Sequence, residues 1–72
     1  MFLNGTKSGV VISVQPISIH GTIMYDVTFQ LANEASVRTA RIGPEAVSGQ
    51  LAPGSDVNVV FLMNVVTAMQ VG

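Results

Sequence analysis

Between Ile23 and Leu31 the chain alternates strictly: Ile23, Tyr25, Val27, Phe29 and Leu31 fall on one side, and Asp26, Thr28 and Gln30 fall on the other. A side-chain period of two belongs to a β-strand, because successive Cβ atoms leave opposite faces of the pleat. One apolar face and one polar face define a half-buried antiparallel strand with its aromatic side on the core. No segment shows the apolar spacing of an amphipathic helix, so the chain reads as all-β.

The flanking segments continue that pattern. Val10, Ile12 and Val14 alternate with Val11, Ser13 and Gln15. Pro16 is expected to end this strand or bulge it, since proline cannot donate to a ladder. Ile17 to Gly21 then reads as a connection. Ala32-Asn33-Glu34-Ala35 makes a turn, and Ser36 to Ile42 returns with Arg38, Ala40 and Ile42 opposite Val37, Thr39 and Arg41. Gly43-Pro44-Glu45 suits the opening of a helix, but Gly49 limits it to a short helical turn near residues 44-49. Ala46, Val47 and Leu51 would lie over the end of the sheet. Ala52-Pro53-Gly54-Ser55 predicts a type II turn, with proline presetting φ and glycine taking the left-handed position.

After that turn, Val57, Val59, Phe61 and Met63 alternate with Asn58, Val60, Leu62 and Asn64, and Val65, Thr67, Met69 and Val71 alternate with Val66, Ala68 and Gln70. Both faces of these last strands are largely apolar, which implies a second layer. With no helix to supply it, a second subunit is the economical source, and closure into a barrel is the alternative. Val60, Leu62 and Val66 are the expected oligomer interface. The resulting architecture is one domain spanning residues 1–72, a small five-stranded antiparallel barrel, OB/TOBE-like or SH3-like, with one short helical turn.

Length and composition favour self-association. A domain of 72 residues buries only about 60% of its unfolded surface, and the absence of cysteine excludes a disulfide staple or a thiolate metal site. The chain is 49% apolar and only 10% charged, against about 25% charged in soluble domains. Lys7, Arg38 and Arg41 face Asp26, Glu34, Glu45 and Asp56 for a net charge of -1. Three cations make a poor footprint for a phosphate backbone, so nucleic acid is an unlikely partner. The start lacks the basic region of a signal peptide. The uncharged stretch from Val57 to Val71 contains Asn58, Asn64, Thr67 and Gln70 and falls short of the ~20 apolar residues of a spanning helix. A cytoplasmic protein without membrane contact is the expectation.

Candidate chemistry is sparse. Acid/base catalysis needs two titratable groups held together, and His20 with Asp26 is the one pair a hairpin could join. A metal needs three or four convergent ligands, which a single histidine among scattered carboxylates does not supply. The chain therefore reads as a non-enzyme with no metal and no cofactor. Four residues are candidates for ligand binding: Arg41, just before the helical turn where free N–H groups could meet an anion; Arg38, on the opposite face of the same strand; Asn64, between the last two strands, as an amide donor or the cap of a tight bend; and His20. Single-strand nucleic acid would need aromatic platforms, and Phe2 is the one aromatic outside the apolar faces.

Gly9-Val10-Val11 with Val14, Val27-Thr28-Phe29, Glu45-Ala46-Val47, and the series Gly54, Val57, Val59, Phe61 and Val66 resemble the molbindins, small molybdate-binding proteins whose fold recurs as the TOBE accessory domain of transporter ATPases. The resemblance implies a small oligomeric barrel that holds an oxyanion between subunits. Leu62, Met63 and Asn64 stand where that family has lysine, alanine and a hydroxyl residue. The charge-assisted donors of the family's anion site are thus missing. The functional expectation is a homo-oligomeric binding or scaffolding module. A small oxyanion-binding protein and a nucleic-acid-binding barrel are the alternatives.

Overall fold

The computed structural model describes residues 3–72; Phe2 lies outside them. Six strands form one sheet: β1 (Gly5–Ile19), β2 (Thr22–Leu31), β3 (Val37–Ile42), β4 (Val47–Ser48), β5 (Asp56–Leu62) and β6 (Val65–Val71), with a 3₁₀ turn at Pro44–Ala46. Their order is β3-β2-β1-β5-β6-β4. Every pairing is antiparallel except β4 on β6, which is parallel. The sheet curls into an open half-barrel. The expected closed, five-stranded antiparallel barrel is therefore corrected to an open, mixed sheet of six strands.

The extra strand arises where a helical turn was expected. The 3₁₀ piece stops at Ala46, and Val47–Ser48 extends to pair with Met69 and Gln70 of β6. A three-residue turn suffices because Pro44 presets only the first step and Val47 is β-branched, a shape that favours the strand.

β2 behaves as its alternation predicts. Val27, Phe29 and Leu31 are buried, and with Val11, Ile42, Val57, Val59, Phe61 and Met69 they form the core. Fully burying a side chain of this size contributes roughly 1.5–3 kcal/mol, so these inner-face residues dominate the stability of the sheet.

Two bulges overturn the alternation expected for β1 and β6. In β1, Val11 sits opposite Phe29 and Ser13 opposite Thr28, leaving Ile12 without a partner. The inserted residue exchanges the faces, so Val11 is buried and Val14 packs against the core while Ile12 is exposed. The Ala52–Ser55 turn docks on this irregularity: the Val11 N–H donates to the Ser55 carbonyl at 2.9 Å, and the Gly54 N–H to the Val11 carbonyl at 2.7 Å. In β6, Val66 faces Phe61 and Ala68 faces Val60, so Thr67 is the inserted residue. Its hydroxyl donates to the Val60 carbonyl at 3.3 Å. Met63, expected on the inner face, instead occupies the β5–β6 turn.

Pro16 does not end β1. The strand runs on to Ile19 and turns at His20-Gly21, whose φ values of 51° and 82° suit a two-residue hairpin turn. Proline is tolerated because β1 leaves β5 after Val10 and has only β2 beside it at this point.

Candidate functional site

β3 is one edge of the sheet, and β6 reaches β4 only from Met69 onward, so β3 and the first half of β6 flank the opening of the half-barrel. A cleft of about 300 Å³ lies there, bordered by Arg38, Arg41, Phe61, Asn64 and Val66. Three of the four residues expected to bind a ligand thus share one cleft. The fourth, His20, is exposed in the turn at the end of the β1–β2 hairpin, and Asp26 pairs with Gln15 and Arg41 instead of meeting it.

The two arginines reach the cleft from opposite faces of a regular strand, as the alternation requires. Arg38 lies opposite Phe29 on the inner side, and its guanidinium stands 5.9 Å from the centre of the Phe61 ring. Its Nε and Nη2 donate to the two carboxylate oxygens of Glu34 at 2.8 and 3.0 Å. Arg41, on the outer side, donates from Nε and Nη2 to Asp26 at 2.8 and 3.3 Å. These charge-assisted pairs hold the carboxyls of Glu34 and Asp26 below their ordinary range and the guanidiniums above theirs, through the hydrogen bonds first. Arg41 is accordingly committed across the strand pair to Asp26.

Asn64 completes the β5–β6 turn with Met63, at φ values of 72° and 51°. The Leu3 N–H donates to its Oδ1 at 2.6 Å, its own N–H donates to the Leu3 carbonyl at 2.9 Å, and the Met63 N–H donates to Asn4 Oδ1 at 2.8 Å. Of the two roles open to Asn64, that of capping the bend is realised, and among the described residues its Nδ2 group makes no hydrogen bond.

The residues expected at an oligomer seam divide between two faces. Val60 and Leu62 point outward, opposite Ala68 and Val65, whereas Val66 pairs with Phe61 and packs on the core. The Thr67 bulge is the reason. On the outer face Leu62 and Val65 are each 61% exposed, as is Met63 in the turn.

A second cleft, of about 380 Å³, opens at the other end of the sheet between Val14, Tyr25, Pro44, Val47 and Leu51. The residues over the sheet end were legible in the sequence, but the part of Tyr25 and Val14 was not, because it depends on the β1 bulge.

Among the described residues no group of His, Cys, Asp and Glu gathers to hold a metal, and no helix is long and apolar enough to cross a membrane. Comparison with family models, with curated proteins and with solved structures returns no match.

Proposed function

We propose that this chain is a self-associating binding or scaffolding module of the cytoplasm, without catalytic chemistry, and that copies meet through the outer face of the β5–β6 hairpin. The observation that carries the reading is the apolar ladder on that face. Val60 lies opposite Ala68 and Leu62 opposite Val65; among the described residues no second layer covers Leu62 and Val65, while Val60 and Ala68 are half-buried. Contiguous exposed apolar residues in a sheet mark an interaction surface, and a two-fold axis would set this patch against itself. Native mass spectrometry of Leu62→Asp tests the reading. Leu62 is exposed, so the variant should fold and lose the parental assembly mass; an unchanged mass would refute this seam.

A second reading, a small oxyanion held at the β3–β6 cleft, is favoured by the convergence of Arg38, Arg41 and the Asn64 amide. Binding would require each guanidinium to share its carboxylate partner. Molybdate or phosphate should then raise the melting temperature of the parent and not of Arg38→Ala, as mass-action linkage requires. Nucleic acid is the weakest candidate, since both arginines already satisfy carboxylates and the net charge is -1.

A further inference from the structure

The β1–β2 hairpin outgrows its sheet. β5 leaves β1 at Val10, and β3 leaves β2 at Tyr25. Beyond that point the pairs Ile17–Met24, Ser18–Ile23 and Ile19–Thr22 have no third strand on either side among the described residues. A two-stranded ribbon is marginal in water unless its face packs on something. Here Ile23, on the inner face, is 47% exposed, and Ile19, on the outer face opposite Thr22, is 37% exposed.

Three features describe what would cover this arm. First, Ile23 and Ser18 continue the inner face carried by Pro16–Tyr25 and Val14–Val27, so the underside of the arm is one surface with the wall of the 380 Å³ groove. Second, both surfaces are free of charge. From Ser13 to Tyr25 there is no Asp, Glu, Lys or Arg, and none borders the groove, so neither surface selects a charged partner. Third, strand addition is obstructed along the free edges of β1 and β3. β1 carries the Ile12 bulge and Pro16 past its contact with β5, and β3 carries Arg38 and Arg41. Bulges, proline and charges blunt edge-to-edge pairing there, which favours packing by the face.

We infer that two copies of this chain exchange arms, each seating Ile23 at the tip of its β1–β2 hairpin in the groove formed by Val14, Tyr25, Val47 and Leu51 of the other. Each chain owns one arm and one groove with a shared wall. A two-fold exchange therefore covers both surfaces at once and closes, as an isologous contact must. A foreign partner would cover one and leave the other open. The inference rests on the self-association reading but uses a different surface from the β5–β6 seam, so the two fail separately.

The test uses the natural lack of cysteine. Full-length Ile23→Cys and mass-labelled Leu51→Cys chains are mixed and oxidised, and Ile23→Glu is weighed intact by native mass spectrometry beside Leu62→Asp. Arm exchange gives the mixed disulfide in excess over both symmetric ones, and a halved assembly mass for Ile23→Glu with its circular dichroism retained. Parental mass for Ile23→Glu, or no mixed disulfide, overturns it. If Leu62→Asp alone dissociates the assembly, the seam stands and the arm exchange falls; a parent that is monomeric throughout removes both. An apolar small molecule retained on a monomer would also overturn it, by making the groove a ligand pocket.

Discussion

The β1–β2 and β5–β6 hairpins close with the same local device, a two-residue turn in which both residues have positive φ, yet they stand in opposite situations. His20-Gly21 ends a ribbon with no neighbouring strand. Met63-Asn64 is laced to Leu3 and Asn4 by three hydrogen bonds, and its strands place Phe61 and Met69 in the core. Turn chemistry sets how a chain reverses. The surroundings decide whether the reversed segment supports the fold or overhangs it.

The contrast predicts a ranking of effects. Met69→Ala removes a fully buried side chain beneath the β5–β6 hairpin and should cost about 2–5 kcal/mol in urea unfolding. Ile19→Ala on the exposed arm should stay within about 0.5 kcal/mol in a dissociated background. Equal losses would mean that the arm belongs to the folding core. At the turns, Asn64→Ala forfeits the Leu3 hydrogen bond as well as a residue suited to positive φ, and should cost roughly 1–2 kcal/mol. Gly21→Ala, with open space around the new Cβ, should cost only the backbone strain of about 1 kcal/mol. A reversal of these two would break the claim that lacing strengthens the second turn.

The smallest effect concerns the edge strand between the hairpins. Asp26 and Glu34 have folded-state pKa values lowered by Arg41 and Arg38. Their contribution is therefore complete above the unfolded carboxyl value of about 4 and is lost as pH falls through the lowered folded values. Both pairs lie at the surface, that of Arg38 and Glu34 partly buried, so the drop in melting temperature should be slight and should shrink in Asp26→Asn and in high salt. A melting temperature that rises on acidification would contradict the pairing.

Much of the local structure was legible beforehand because its causes are local. Pro53-Gly54 announced a turn, Gly43-Pro44 announced a short helical start, and the faces of β2 and β3 followed from simple alternation. The candidate cleft was partly legible: Arg38, Arg41 and Asn64 were visible as rare polar groups, but not as neighbours. Val66 packs inward and not beside Val60 and Leu62, a difference hidden from the sequence because nothing at Thr67 distinguishes an inserted residue from a paired one.

What the sequence determined alone is an all-β chain with too few charges and too much apolar surface for its size. Period, turn residues and composition are properties of successive residues, and they act before any strand finds a partner. Only the tertiary structure decided where the bulges fall, that Val47–Ser48 joins β6 in parallel, that β1 passes through Pro16, and that the sheet stays open. Each of these depends on which strand lies alongside and in what register. A shift of one residue there exchanges every inward side chain for an outward one.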